Sequence, residues 1–405
     1  MSDTNRYLWL TSEVPGIGGT ARSEPGDFVV EERLRYEPSG KGTHHYLKVE
    51  KVGLSSLEAV RRLARVLDRP ERDFGFAGHK DRRAVARQTF SIEHAPEAHV
   101  RGLELPGLRV LEVARHGNKL KRGHLAGNAF RLRIRGVAPE DPGRARRVLE
   151  ALSRRGLPNF FGAQRFGRRG TTPELGRCLL REDFSRFLRV FTASVCERRV
   201  EELEEATPEE LGLRHASGDR LLDRALLVWA SGKPARAAVR GLPRRFLSLC
   251  TSALQSVVFN DLLRARLAGI DELWEGDLAY LHRSGAVFRV GDPRVESARL
   301  ASFEISPSGP LPGPACALPG GRAAELEDSI LAARGIRGQD FGVASVWAQK
   351  GGRRPLRVPL LMAQVREDVG AGGRRDLLLD FELPAGSYAT VVLGELFKRE
   401  GIAMD

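Results

Sequence analysis

Residues 76–88 read Phe-Ala-Gly-His-Lys-Asp-Arg-Arg-Ala-Val-Ala-Arg-Gln. The stretch places a single carboxylate, that of Asp81, among four cationic side chains. These are Lys80, Arg82, Arg83 and Arg87. Because neighbouring positive charge favours the ionised form of an aspartate, Asp81 is predicted to be an anion. The residues alone leave three roles open for it: nucleophile, general base, or partner in an ordinary ion pair.

The composition indicates a large, basic protein. The chain has 405 residues and a formal net charge of +13, with an isoelectric point near 10.1. One hydrophobic core rarely serves a chain of this length, so two or three domains are expected. The charge predicts a polyanionic partner, with RNA or DNA ahead of an acidic membrane, although a basic proteome would give the same excess.

Metal, disulfide and membrane signals are absent from the sequence. The four cysteines form no Cys-x-x-Cys pair, and the histidines at 44, 45 and 79 lack metal-ligand partners at useful spacing. The first residues do not show a basic segment followed by an apolar one, and no apolar run is long enough to span a bilayer. We therefore expect a cytoplasmic protein with no metal site and no membrane association.

Hydrophobic periodicity predicts several elements. Residues 53–68 have apolar positions at helical spacing, and Ser55 with Glu58 has the spacing of an N-terminal capping box. Residues 128–135 alternate strictly, which predicts a strand with one arginine-rich face. Further predicted elements are helices at 177–191 and 245–267, a loop or linker at 306–321, and strands at 356–366 and 376–383.

The stretch around Asp81 resembles the signature of the TruD-type pseudouridine synthases, which reads Gly-x-Lys-Asp-x-x-Ala-x-x-x-Gln. The matching residues here are Gly78, Lys80, Asp81, Ala84 and Gln88. The resemblance continues in the family's order through four further blocks, which lie at 127–130, 159–167, 253–260 and 383–390.

The resemblance implies a fold and a domain plan. TruD-like enzymes have an α+β pseudouridine synthase fold built on a bent sheet of mixed and antiparallel strands, into which a family-specific domain is inserted. For this chain the implied catalytic domain comprises residues 1–155 and 353–405, and the inserted domain comprises 156–352. A strand-rich start, a helical middle and a strand-rich end fit the same plan.

The resemblance also implies a reaction, the isomerisation of uridine to pseudouridine in RNA, with uridine 13 of tRNA as the expected target. The N-glycosidic bond breaks, and C5 of uracil is then joined to the same ribose carbon, so no cofactor or metal is needed. Asp81 is the implied catalytic carboxylate. Whether it adds to C1′ or removes a ribose proton is left open, and a monomeric enzyme is expected.

A uridine stacked in folded RNA must be extruded and held by aromatic and polar groups. By resemblance, Phe28, Asn128 and Tyr388 contact the target nucleotide. Phe130 lies two residues from Asn128 and so projects from the same strand face. Lys80 and Gln88 complete the expected substrate-binding set. The alternatives are ordinary ones: a phenylalanine on a strand is often core, and Gln88 could satisfy only backbone groups.

The stretch from Arg115 to Arg135 contains seven Lys and Arg and no acidic residue, which predicts a surface that contacts RNA phosphates. The chain departs from the family pattern at Arg22, where lysine is usual, and at Gly394, where arginine is usual. Three other functions stay open: a non-catalytic RNA-binding protein or chaperone of the same fold, a pseudouridine synthase for another RNA site, and a base-releasing N-glycosidase.

Overall fold

The computed structural model describes residues 9–80, 82–95, 97–167, 169–214, 219–342, 347–370 and 373–399. These residues form two compact units. The flanking unit comprises Trp9–Leu157 and 358–399, and the middle unit comprises Pro158–Arg357. The family resemblance predicts the corresponding boundaries after residues 155 and 352.

The strands are β1 (Thr20–Ala21), β2 (Phe28–Leu34), β3 (His44–Val52), β4 (Gly75–Phe76), β5 (Val85–Glu93), β6 (Glu104–Leu105), β7 (Leu108–His116), β8 (Leu125–Arg135), β9 (Leu157–Pro158), β10 (Leu278–Leu281), β11 (Val287–Arg289), β12 (Ile305–Leu311), β13 (Gly352–Pro355), β14 (Arg357–Val358), β15 (Leu361–Val369) and β16 (Arg375–Pro384). The helices are α1 (Ser56–Val66), α2 (Glu97–Val100), α3 (Asp141–Arg155), α4 (Thr172–Leu180), α5 (Phe184–Val195), α6 (Pro208–Arg214), α7 (Arg220–Ala230), α8 (Ala235–Arg240), α9 (Arg244–Ala265), α10 (Ser297–Ala301), α11 (Gly321–Ala333) and α12 (Ala389–Phe397).

The flanking unit is built on one large mixed sheet with the strand order β15-β16-β8-β2-β5-β3-β7-β6. β2 and β5 run parallel, whereas the other neighbours along this order are antiparallel. Long-range pairing therefore brings β16, from the end of the chain, beside β8. The mixed sheet and its helices confirm the predicted α+β class.

The helix predicted at 53–68 is confirmed as α1. Ser55 accepts a hydrogen bond from the Glu58 amide, and the Glu58 side chain accepts one from the Ser55 amide, so both halves of the capping box form. One face of α1 packs on the sheet, with Leu63 in the same buried cluster as Leu47 and Phe90. This packing fixes the start of α1 next to the end of β3.

The arginine-rich face predicted for 128–135 is present on β8, but its charges are neutralised. Arg131 pairs with Asp380 of β16 at 2.8 Å. Arg133 pairs with Asp376 at 2.8 Å, and Arg135 pairs with Asp27 at 2.8 Å. The prediction that this stretch contacts phosphates stays a prediction, and each of these three arginines already has a carboxylate partner.

Gly394 has a packing reason. A Cβ atom at this position would lie 2.9 Å from the Trp9 ring, so a larger residue would displace the indole. The next residue, Glu395, is 1% exposed and accepts hydrogen bonds from the backbone amides of Leu10 and Thr11. Gly394 thus leaves room for the Trp9 ring, and Glu395 ties the start of the described chain to α12.

The middle unit is mainly helical, with a small sheet of order β11-β10-β12-β13. The single helix predicted at 177–191 is wrong, because the chain breaks after Leu180 and restarts at Phe184. Glu182 adopts a left-handed backbone with φ of 54°, and Asp183 caps α5 by accepting from the Arg186 amide at 3.0 Å.

The loop predicted at 306–321 is also partly wrong, since residues 305–311 form the buried strand β12. Its proline and glycine content suggested a break, but packing overrides that preference. A Cβ at Gly309 would lie 2.9 Å from Leu262, so only glycine fits this close approach. Pro307 cannot donate to a ladder, yet its carbonyl accepts from the Leu356 amide at 2.8 Å.

The helix predicted at 245–267 is confirmed as α9. Within the described residues it is the one helix long and apolar enough to cross a membrane, but 67% of its apolar window is buried inside the structure. Leu247 and Cys250 lie in the same core cluster as Phe187 and Trp347. That burial is typical of a core helix.

Candidate active site

Asp81, the predicted catalytic carboxylate, lies outside the described residues. The segment that leads to it, Gly78–Lys80, is described and is held firmly. The Lys80 amide donates to Ser56 Oγ at 2.8 Å, and the Gly78 carbonyl accepts from Gln88 Nε2 at 2.6 Å. Ser56 is the first residue of α1, so the helix start and β5 together fix the backbone that precedes Asp81.

The Lys80 side chain contacts Asn128, another predicted site residue, and Glu32, a carboxylate that the sequence analysis missed. Its ammonium donates to Asn128 Oδ1 at 2.7 Å and pairs with Glu32 Oε1 at 3.0 Å. The Lys80 and Glu32 side chains are only 7% and 1% exposed. Glu32 and Asn128 are direct partners across β2 and β8, which explains why one ammonium reaches both.

The Gln88 side chain is fully buried, and it contacts the segment that begins at Gly78 instead of an exposed pocket. Its Oε1 accepts from Ser56 Oγ at 2.8 Å, and its Nε2 donates to Glu32 Oε1 at 3.3 Å as well as to Gly78. Gln88 therefore contacts two side chains as well as one backbone group, so it does more than satisfy backbone, and its role toward the substrate stays a prediction. It also links Glu32 to α1.

Phe28 and Phe130 contact each other, with ring centroids 5.9 Å apart in an edge-to-face arrangement. Phe130 also stacks on Phe381 of β16 at 5.3 Å. Phe28 and Phe130 are 4% and 8% exposed. The guanidinium of Arg22 lies 4.2 Å from the centre of the Phe28 ring. The two predicted stacking residues thus belong to one aromatic cluster beside Asn128.

Tyr388 is half-buried and stands at the N-cap of α12, where its carbonyl accepts from the Val391 amide at 3.0 Å. The segment before it is anchored to β8. Pro384 pairs with Gly127, and the Ala385 amide donates to the Ala126 carbonyl at 2.9 Å. The pairing therefore brings Tyr388 to the same end of β8 that carries Asn128.

The cations that flank Asp81 in sequence have other partners. Arg82 donates to the Gly53 carbonyl at 3.0 Å and lies 3.4 Å from Glu58. Arg87 pairs with Glu50 at 3.0 Å, which raises its pKa through the side-chain hydrogen bond. Arg83 is exposed. A contact of any of them with Asp81 stays a prediction.

A second basic element lies beside the Gly78–Lys80 segment. The basic loop, residues 117–124, is held by hydrogen bonds from Tyr46 Oη to the Asn118 carbonyl and from the Leu120 amide to Ser91 Oγ, each 2.9 Å long. Lys121 and Arg122 are exposed on it, and the Arg122 guanidinium lies 3.4 Å from Nε2 of His79. The basic loop therefore presents positive charge next to the candidate site.

The sequence carried a signal for Glu32 that went unused. Phe28, Val30 and Glu32 alternate along β2 and so share a face, which puts an acidic residue among buried apolar ones. For a metal the structure offers no equivalent: no group of three or more His, Cys, Asp or Glu within the described ranges could hold an ion.

The fold and the candidate site define an α+β protein with a buried lysine–carboxylate–amide cluster, an aromatic cluster and the segment Gly78–Lys80, which leads to Asp81. Comparisons with known proteins identify its family. The family model of tRNA pseudouridine synthase D (TruD) matches residues 5–396. The chain therefore belongs to the TruD family.

Individual relatives agree with this result. The chain is 43% identical to the tRNA pseudouridine synthase D of Geobacter sulfurreducens, over 98% of each chain. It is 42% identical to that of Geobacter metallireducens, over 98% of this chain and 99% of the relative. A solved chain from Methanosarcina mazei that is named for TruD has the same fold, with a TM-score of 0.83 at 24% identity, covering 98% of this chain and 97% of that one. The predicted family and its fold are confirmed.

Proposed function

We propose that this protein is a tRNA pseudouridine synthase that isomerises uridine 13 of tRNA, with Asp81 as the catalytic carboxylate. One observation supports this most directly. Lys80, the residue before Asp81, is bonded to Asn128, so the loop that carries the acid and the strand that carries the candidate base-reading amide are fixed to each other. A reaction on an extruded uridine requires that the catalytic carboxylate be held close to the group that binds the base.

Asn128 has an orientation suited to reading uracil. Its Oδ1 accepts from Lys80, so its amide NH₂ group is the part that can donate to a carbonyl oxygen on the uracil edge. Phe28 and Phe130 form a buried aromatic cluster on the same strand faces, which would have to expose a ring edge to contact the base, and Tyr388, which is half-buried, lies at the same end of β8. Together these side chains would hold the detached uracil while it turns.

The chemistry needs an anion near the sugar. Asp81 either adds to C1′ as the N1–C1′ bond breaks, and its bond to C1′ breaks again when C5 attacks, or it removes a ribose proton that is returned to the sugar when the C5–C1′ bond forms. In both routes C5 loses its proton and N1 gains one. A dry, closed pocket is needed because water would otherwise add to C1′ and the detached base would escape. The chemistry calls for no cofactor and no metal.

We further propose that the flanking unit is the catalytic domain and the middle unit the inserted family-specific domain. The candidate residues 28, 80, 88, 128, 130 and 388 all belong to the flanking unit, which supports the assignment. The RNA is proposed to approach the basic loop, where Lys121 and Arg122 are exposed. A monomeric, cytoplasmic enzyme is the simplest form consistent with this proposal.

The experiment is pseudouridine mapping on a tRNA transcript incubated with the purified protein. We expect the wild type to convert uridine 13 to a mass-silent isomer, and Asp81→Asn to bind the transcript but form no product. Undiminished product from Asp81→Asn would overturn the assigned carboxylate. Binding without conversion by the wild type would favour a non-catalytic RNA-binding protein. Free uracil would indicate an N-glycosidase, and conversion elsewhere would replace the target site.

A further inference from the structure

Two histidines stand at the ends of the basic loop, and the proposed function uses neither of them. His116 is the last residue of β7, and His124 immediately precedes β8. The His124 amide donates to the Lys121 carbonyl at 3.2 Å, so one tight turn joins this ring to Lys121 and Arg122. What a neutral histidine can bind depends on which ring nitrogen carries its proton, and the hydrogen-bond partners of the ring decide that.

His124 is the end of a chain of hydrogen bonds that runs through two tyrosines. Tyr46 Oη donates to the Asn118 carbonyl at 2.9 Å. The hydroxyl oxygens of Tyr36 and Tyr46 lie 3.1 Å apart, and Tyr36 Oη lies 2.5 Å from Nδ1 of His124. Burial raises the pKa of the Tyr46 hydroxyl, so Tyr46 keeps its proton.

The number of protons in this chain determines the tautomer of His124. A carbonyl oxygen can only accept, so the one proton of Tyr46 Oη lies toward Asn118. The proton of Tyr36 Oη then lies toward Tyr46, and the third contact is filled when Nδ1 of His124 donates to Tyr36. If Tyr36 donated to His124 instead, two hydroxyl oxygens would face each other with no proton between them. The neutral His124 ring therefore carries its proton on Nδ1, and its Nε2 is an acceptor.

Nε2 of His124 is open to solvent. Within the described residues no donor is bonded to it, and the histidine nitrogens that are buried without a partner belong to His44 and His45. His116 has the opposite tautomer, because its Nδ1 accepts from the Ser39 amide at 3.2 Å and its proton is therefore on Nε2. An acceptor thus lies at one end of the basic loop only.

An acceptor beside exposed cations matches the sugar of an RNA strand. The side chains of Lys121 and Arg122 suit phosphate oxygens, which only accept hydrogen bonds, whereas a neutral Nε2 of His124 has no proton to donate to a phosphate. It needs a donor that lies next to a phosphate. On an RNA chain the ribose 2′-hydroxyl is such a donor, and DNA lacks it.

We infer that His124 is a specificity residue for RNA, whose Nε2 accepts a hydrogen bond from the 2′-hydroxyl of a nucleotide bound at the basic loop. Tyr36 and Tyr46 act through the His124 ring, as positioning residues that hold its proton on Nδ1. The inference rests on the proposed function, since it assumes that the RNA substrate lies along this loop.

Nitrogen NMR of the histidine side chains tests the tautomer in the free protein, without RNA. We expect the neutral ring of His124 to carry its proton on Nδ1 and that of His116 to carry it on Nε2. His124→Phe removes one set of signals and so identifies them. Tyr36→Phe removes the oxygen that accepts from Nδ1, so it should raise the fraction of His124 with its proton on Nε2. A wild-type His124 with its proton on Nε2 would overturn the inference.

Binding of modified transcripts tests the contact itself. The affinity of each protein is measured for tRNA transcripts in which a single 2′-deoxynucleotide is moved from position to position. At one position we expect the wild type to lose about fivefold in affinity, the contribution of one hydrogen bond, and His124→Phe to lose nothing. His116→Phe is the matched control and should respond as the wild type does. Equal responses of the wild type and His124→Phe at every position would contradict the inference.

The remaining outcomes also decide. If His124→Phe fails to fold, Tyr36→Phe takes its place, and an undiminished 2′-deoxy effect in that variant would overturn the inference. A contribution of His124 that appears only at acidic pH and is indifferent to the 2′-hydroxyl would show an imidazolium on a phosphate, which also overturns it. A protein that converts tRNA without the coupling refutes the inference alone, whereas one that shows the coupling without conversion refutes the proposed reaction alone.

Discussion

The Lys80 ammonium donates a hydrogen bond to Oδ1 of Asn128 at 2.7 Å, although 48 residues separate them in the chain. The same ammonium pairs with Glu32, whose side chain is 1% exposed. One buried cation thus sets the position of the loop before Asp81 and the orientation of an amide on β8. Removing that cation should therefore lower both the stability and the activity of the protein.

Lys80→Met is expected to destabilise the protein by about 3–5 kcal/mol, because it leaves the Glu32 charge buried without its cation. It should also lower kcat/KM by about 100-fold, because Asn128 and the loop lose their common anchor. Urea denaturation and single-turnover assays measure the two effects. Arg82→Met, which removes a cation with a 67% exposed side chain from the same loop, should cost less than about 1 kcal/mol.

Combining Lys80→Met with Glu32→Gln should restore part of the stability lost in Lys80→Met. The double variant removes both charges, so no buried ion remains uncompensated. Gln88 and the Thr89 amide donate to different oxygens of Glu32, so only one of them keeps its acceptor in the glutamine, and the restoration is therefore partial. The free energy of unfolding is measured for the wild type, the two single variants and the double variant. If the losses in the two single variants add up to the loss in the double variant, Lys80 and Glu32 are not coupled.

Local patterns predicted the elements that depend on local chemistry. The capping box at Ser55 and Glu58 forms as the sequence indicates, and the alternation at 128–135 is a strand. Sequence patterns gave wrong predictions where tertiary packing decides the secondary structure. β12 is a strand despite Pro307 and Pro310 because its residues are buried between two partner strands.

In the candidate site, too, local motifs predicted some features, and tertiary contacts decide the others. Phe28 and Asn128 were found because motifs name them, but their surroundings depend on contacts between distant parts of the chain. The arginines of β8 predict a phosphate-binding face in sequence, whereas the structure pairs Arg131 and Arg133 with Asp380 and Asp376 on β16. No one-dimensional pattern records a partner more than 240 residues away.

A glycine-to-alanine pair tests the helix packing of the middle unit. In α4, a Cβ at Gly176 would lie 2.3 Å from the backbone carbonyl oxygen of Cys250 in α9, so Gly176→Ala must push two core helices apart. We expect a loss of about 1–3 kcal/mol. Gly143 in α3 has nothing within 4 Å of the same position, so Gly143→Ala should stabilise its helix by about 0.5–1 kcal/mol. Thermal unfolding of each variant measures the difference, and similar shifts would contradict the close approach.

The salt dependence of tRNA binding distinguishes the basic loop from the β8 arginines. Lys121 and Arg122 are exposed beside His79, so replacing both with glutamine should weaken binding and reduce the slope of log K against log salt by about 1.4, that is, two contacts at 0.7 each. Arg131→Gln is the comparison variant, because Arg131 is paired with Asp380, a carboxylate that it shares with Arg366, whereas the charges of the basic loop are exposed beside His79. Its slope should equal that of the wild type. A larger loss of slope in Arg131→Gln than in the loop variant would move the proposed RNA path to the arginine-bearing face of β8.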